Sequence, residues 1–93
     1  MQDIAGRTAF ITGGASGMGL GMAKALARAG AQVAIADVRD DHLENAVRSC
    51  ADDGLTVTPY HLDVTDRERY AAVADAVEKD LGPVTIVALN AGI

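Results

Sequence analysis

Four short apolar runs recur along this chain, each separated from the next by a segment with helical periodicity and capping residues. The runs are Thr8 to Ile11, Val33 to Ala36, about Val57 to Leu62, and Val84 to Leu89. Continuous runs such as "VAIA" and "VTIVAL" fit parallel strands covered on both faces. A first helix is expected from near Gly17 to just before Gly30, and a second from about Asp40 to Asp53 with Gly54 behind it. Gly30 and Gly54 sit where a left-handed C-terminal cap is wanted. A third helix opens at "TDRE", Thr65 to Glu68, which has capping-box spacing, and stops before Gly82 and Pro83. Strand and helix alternating at this spacing predict an α/β fold: parallel strands joined by right-handed crossovers, the first half of a doubly wound sheet.

In such sheets ligands bind outside the carboxyl ends of the strands, and there the chain concentrates its glycine. "TGGASGMG", Thr12 to Gly19, fills the turn from the first strand into the first helix. Ordering glycine costs more backbone entropy than ordering any other residue, so the cluster needs a use that side chains would prevent. Gly13 permits the tight turn, Gly17 lets backbone N–H groups approach an anionic pyrophosphate, and Gly19 lets the helix pack closely. The donors are those that any helix start leaves unpaired, reinforced by the helix dipole. Ser16 adds a hydroxyl. No Lys-Ser/Thr pair follows the glycines, which argues against a nucleoside-triphosphate loop.

Two carboxylates stand at the next strand ends. Asp37 ends the second strand, 18 residues beyond Gly19, where it can accept hydrogen bonds from adenosine ribose hydroxyls. Its charge would repel a 2′-phosphate, so NAD is favoured over NADP. Arg39 lies two residues on and is read as a solvated surface residue rather than a phosphate partner. Asp63 and Val64 end the third strand. From position alone Asp63 either takes the adenine amino group, with the valine on the ring, or merely begins the turn into the Thr65 cap.

Composition narrows the classes. The 13 acidic residues outnumber the 8 basic ones, giving a net charge of -5, and the basic residues form no run, so nucleic acid is not an expected partner. No apolar run approaches the roughly 18 residues of a spanning helix, and residues 1–6 do not read as a signal peptide, so the expectation is a cytoplasmic protein with no membrane partner. The single Cys50 shares a helical face with Leu43, Ala46 and Val47 and is read as a small core hydrophobe. Cys50, His42 and His61 have no metal-site spacing, and His61 is read as a packed or surface strand residue.

Taken together, Thr12, Gly13, Gly17 and Gly19 in Thr-Gly-x-x-x-Gly-x-Gly, then Asp37, Asp63-Val64 and Asn90-Ala91-Gly92, resemble the classical short-chain dehydrogenase/reductases, over essentially all 93 residues. The resemblance implies a Rossmann-type sheet with strand order 3-2-1-4 and an NAD(P)-dependent oxidoreductase acting on an alcohol or carbonyl substrate. It places Gly13, Ser16, Met18 (through its backbone) and Gly19 around the pyrophosphate, Asp37 on the adenosine ribose, and Asp63 and Val64 at the adenine. Asn90, Ala91 and Gly92 would stabilise the central strand and line the nicotinamide-side ribose. NADP-preferring relatives often carry a basic residue just before the second motif glycine; Ser16 stands there, in agreement with Asp37. Leu89 replaces the first asparagine of the usual Asn-Asn-Ala-Gly. By analogy the full enzyme would be a homo-oligomer.

The family's catalytic Tyr-x-x-x-Lys pair, serine and asparagine would lie beyond Ile93. Neither tyrosine here has a lysine four residues on: Val64 follows Tyr60 and Ala74 follows Tyr70. The expectation is therefore a cofactor-binding segment of a longer enzyme, with no catalytic residue of its own and inactive alone, its last strand lacking a neighbour on one edge. The competing expectations are a nucleotide-binding or regulatory module without redox chemistry, its sheet completed by a partner's strand, and, less favoured by Thr12 and Asn90 to Gly92, a methyltransferase.

Overall fold

The computed structural model describes residues 4–89. Strands β1 (Thr8–Thr12), β2 (Gln32–Asp37), β3 (Val57–His61) and β4 (Val84–Leu89) alternate with helices α1 (Gly17–Arg28), α2 (Asp40–Asp52) and α3 (Arg67–Leu81). All strand pairs are parallel and the order is β3-β2-β1-β4, as expected. The chain steps outward from β1 to β3 and then crosses back to β4 on the other side of β1. Strand order reverses at β1, and crevices for ligands open at such reversals.

Alternate side chains of each strand feed opposite faces of the sheet. Ala9, Ile11, Val33 and Ile35 pack with Ala23 of α1 and with Leu43, Ala46 and Cys50 of α2. Phe10, Ala34 and Ala36 pack on the other face with Val73 and Val77 of α3, and with Leu62. Phe10 also meets Tyr70 edge to face, with ring centroids 5.9 Å apart. Ile11, Ile35 and Val77 are fully buried; burying each such side chain contributes roughly 1.5–3 kcal/mol. Cys50 lies wholly inside this core, and burial pushes its thiol pKa up.

Of the continuous apolar runs expected to be covered on both faces, β2 is so covered, as is β1, while among the described residues β4 is not. Among the described residues β3 and β4 alternate between covered and exposed positions. Their place in the sheet explains this, since each pairs with one described neighbour. Pro59 sits within β3, where a missing N–H is tolerated because no further described strand needs it. In β4 a bulge intervenes: Thr8 pairs with Val84 but Ala9 pairs with Ile86. Val84 therefore joins the α3 side, while Ile86 and Ala88 join the α1 and α2 side. Val87 and Leu89 are left 57% and 64% exposed.

Helix ends follow the sequence at two places and depart from it at a third. After α1, Gly30 (φ +97°) donates to Ala27 and Ala31 donates to Leu26; after α2, Gly54 (φ +76°) donates to Ala51 and Leu55 donates to Cys50. Both are complete Schellman caps. At α3 the expected cap on Thr65 is displaced by one residue: Asp66 is the N-cap, and its Oδ1 accepts the Arg69 N–H at 3.0 Å. Thr65 is already engaged, because its hydroxyl and N–H both donate to Asp63 Oδ1, at 2.7 and 3.0 Å.

Candidate cofactor site

The carboxyl ends of β1, β2 and β3 converge on one edge of the sheet. After β1 the turn remains tied to β2, because the Gly13 N–H donates to the Ala36 carbonyl at 2.7 Å and the Gly14 N–H donates to it at 3.3 Å. The Thr12 hydroxyl lies 3.5 Å from the Ala88 carbonyl, on the β4 side. Four glycines divide two kinds of work. Gly13 (φ +65°) and Gly17 (φ +57°) occupy left-handed backbone that L side chains rarely adopt. Gly14 and Gly19 instead answer to close packing. A Cβ on Gly14 would stand 2.8 Å from Ile35 Cγ2, and one on Gly19 would overlap the Gly13 carbonyl. Gly17 by contrast faces open space, so its backbone is approachable.

Ser16 enters α1 in extended conformation, and its carbonyl accepts the Leu20 N–H at 3.3 Å while its hydroxyl makes no capping bond. The N–H groups of Gly17, Met18 and Gly19 have no intrahelical acceptor. Met18 is 78% exposed at this helix start. Among the three helices, α1 alone has neither an acidic residue in its first turn nor a side-chain cap. Asp40 and Asp41 serve α2, and Asp66 with Glu68 serves α3. The first turn of α1 thus carries no carboxylate of its own to meet the positive end of its dipole.

Asp37 closes β2 half-buried, and its Oδ1 accepts the Arg39 N–H at 3.1 Å. Its other oxygen takes no hydrogen bond among the described residues. At the end of β3, the Leu62 N–H donates to the Asp37 carbonyl at 2.9 Å, so the two strand ends stay in register beyond their last paired residues. Thr65, through its hydroxyl and then its amide, holds the Asp63 carboxyl below the ordinary carboxylate range, with burial opposing and His61 assisting. Asp63 therefore does begin the turn toward α3, and it also faces a cleft of about 320 Å³. His61 Nδ1 lies 2.8 Å from Asp40 Oδ1, tying β3 to the start of α2.

That cleft brings Gly13, Asp37, Asp63 and Val64 together. Ser16, Gly17, Met18 and Gly19 occupy the adjoining turn and helix start. Asn90, Ala91 and Gly92 lie outside the described residues. The cleft also takes Val38, Leu62 and Thr65, which sequence reasoning missed. Val38 carried a usable signal: an apolar residue directly after a strand-ending carboxylate, here 53% exposed. A wider hollow of about 510 Å³ between α2 and β3 includes Glu44, Arg48 and Pro59 and takes none of the strand-end residues of the cleft.

Burial and the hydrogen bond to Asp80, at 2.9 Å, push Tyr60 up to about 12, and Tyr70 packs its ring on Phe10. Among the described residues no group of three His, Cys, Asp or Glu could hold a metal ion, and no helix is long and apolar enough to cross a membrane.

Residues 7–93 match the family model for short chain dehydrogenases. The chain is 45% identical to the C alpha-dehydrogenase of Sphingobium sp. strain SYK-6 over its whole length, which is 31% of that protein. It is 34% identical to the 5-keto-D-gluconate 5-reductase of Escherichia coli K12, with 98% of this chain and 36% of that one covered. Among solved structures, the apo form of LigO from Sphingobium sp. strain SYK-6 superposes with a TM-score of 0.88 at 48% identity, over 94% of this chain and 33% of that one. The chain thus spans about a third of the length of the relatives it matches. With its sequence matched almost end to end and its backbone shared with a solved structure at this identity, the chain belongs to the short-chain dehydrogenase family.

Proposed function

We propose that this chain is the NAD-binding portion of an oxidoreductase that passes hydride between NAD and an alcohol or carbonyl substrate. One observation carries the reading: a helix start free of acid and side-chain cap, entered through an approachable glycine turn, opens on the same sheet edge as the Asp37 carboxylate. The two suit opposite needs of one ligand. Backbone donors at the start of α1, with Gly13, Ser16, Met18 and Gly19 around them, hold a pyrophosphate. Asp37 accepts from the adenosine ribose hydroxyls, while Asp63 and Val64 flank the adenine. When bound, NAD supplies the hydride chemistry; these residues bind and orient it. Family membership and the names of the relatives above, a dehydrogenase and a 5-keto-D-gluconate 5-reductase, support the alcohol or carbonyl class.

Asp37 also supports NAD over NADP. Two unit charges about 4 Å apart repel by roughly 4 kcal/mol at an effective dielectric near 20. Solvent at this half-buried site leaves about a third of that, close to tenfold in affinity. Fluorescence titration of the intact protein with NADH and NADPH tests the reading. The expected result is tighter NADH binding, a shift of about tenfold toward NADPH in Asp37→Ala, and weaker binding of both in Gly17→Val. An unchanged affinity ratio removes Asp37 from its role, and normal binding by Gly17→Val removes the glycine turn.

A further inference from the structure

The segment joining β2 to α2 places a guanidinium beside the carboxylate that selects the cofactor, and the fold ties it down. Arg39 is the N-cap residue of α2, and its N–H donates to Asp37 Oδ1 at 3.1 Å, so its backbone is pinned against the ribose-facing carboxylate. Its side chain is engaged at two points. Nε donates to Asp41 Oδ1 at 3.1 Å and Nη2 donates to Asp41 Oδ2 at 2.9 Å. A planar guanidinium fork binds phosphate by the same two-point geometry that it uses for a carboxylate. A phosphate on the adenosine ribose would therefore compete with Asp41 for Arg39. Asp41 is well placed to win, because it lies in the first turn of α2, where the helix dipole favours its charge.

We propose that Asp41 is a specificity-determining positioning residue: by holding the Arg39 guanidinium in a two-point fork, it withholds that cation from a 2′-phosphate and reinforces the preference of Asp37 for the unphosphorylated dinucleotide. This rests on the reading of Asp37 as the ribose acceptor. The side chains of Arg39 and Asp41 are 59% and 60% exposed, so replacing either leaves the core intact.

A double-mutant cycle in the intact protein tests it, with NADH and NADPH as probes and the ratio of their affinities as readout. Asp41→Asn should move the ratio about three- to fivefold toward NADPH, the scale of an exposed fork. Arg39→Ala alone should move it less than about twofold, and adding Arg39→Ala to Asp41→Asn should abolish the gain. No gain in Asp41→Asn overturns the proposal. A gain that survives Arg39→Ala also overturns it, since removal of one negative charge would then be the whole effect. If the parent protein binds NADPH as tightly as NADH, the reading of Asp37 fails and the role of Asp41 falls with it. A preference for NADH together with a flat cycle refutes Asp41 alone.

Discussion

Two glycines one turn-fraction apart in α1 should respond to the same substitution with opposite signs. A Cβ on Gly19 would overlap the Gly13 carbonyl oxygen and stand 2.8 Å from the Gly13 carbonyl carbon and 3.1 Å from Gly14 Cα. All three are backbone atoms, so no side-chain rotation relieves the clash. Restoring ordinary contact requires the start of α1 to withdraw from the turn by about 1 Å. Overpacking of that kind costs roughly 2–3 kcal/mol, offset by about 1 kcal/mol for the better helix propensity of alanine. Gly19→Ala should therefore lose about 1–2 kcal/mol. Gly21 is exposed, meets nothing within 4 Å at its Cβ position and has no positive φ, so Gly21→Ala should gain about 0.5–1 kcal/mol. Urea denaturation followed by circular dichroism reads both as midpoint shifts at unchanged slope. Because the withdrawn turn is the proposed pyrophosphate cradle, Gly19→Ala should also weaken NADH while Gly21→Ala does not. A Gly19→Ala variant as stable as the parent would refute the close approach of α1 to Gly13, and a parallel fall of both variants would refute the distinction between the sites.

Asp66→Ala should cost about 1 kcal/mol by uncapping α3, and Thr65→Ala less; the reverse order in urea midpoints would return the cap to Thr65. A pH-dependent effect is expected between α1 and α2, where Lys24 Nζ donates to Ser49 Oγ at 2.7 Å and to Asp53 Oδ2 at 2.8 Å. The Lys24 ammonium, by hydrogen bond and charge, lowers the Asp53 carboxyl below its ordinary 3.8. A carboxyl lowered in the folded state adds stability above its unfolded value, and that stability is lost as pH falls through the folded value. The stability advantage of the parent over Lys24→Met should thus be full at about pH 5 and shrink toward about pH 2, and a constant difference would refute the pairing.

The glycine turn and the strand-end carboxylates define a division of labour between backbone and side chains. In the proposed binding mode, backbone donors meet the part of a dinucleotide whose charge is the same in NAD and NADP. In the same reading the Asp37 side chain meets the part where the two differ, and Asp41 acts on that part through Arg39. Changes at Gly17 or Gly19 should accordingly weaken both cofactors together, whereas changes at Asp37 or Asp41 should alter the ratio between them.

Much of this was legible before any coordinates. Apolar runs, helical periods and terminal glycines report interactions within a few residues, and they located all seven described elements and the Gly30 and Gly54 caps to within about two residues. The order β3-β2-β1-β4 followed from family resemblance, because local patterns do not specify which strand lies beside which. The tight turn at Gly13 and the close packing at Gly19 were readable from their place in a strand-to-helix turn, whereas at Gly17 the sequence points to ligand approach and the left-handed φ came only with the structure. The need at Gly14 was not readable, since it is imposed by Ile35, a neighbour only across the sheet. Thr65 illustrates competition: its spacing to Glu68 suits a cap, yet Asp63 captures it first and Asp66 takes the helix. Likewise the Arg39 fork to Asp41, the Lys24 bridge to α2 and the Tyr60 bond to Asp80 depend on where side chains end after packing. By itself the sequence determined which segments form strands and helices and which residues stand at strand ends, because backbone propensity and period act locally. Only the tertiary structure decided which polar groups are already satisfied by the protein and which remain for a ligand, because that depends on distances set by the packing of the whole sheet.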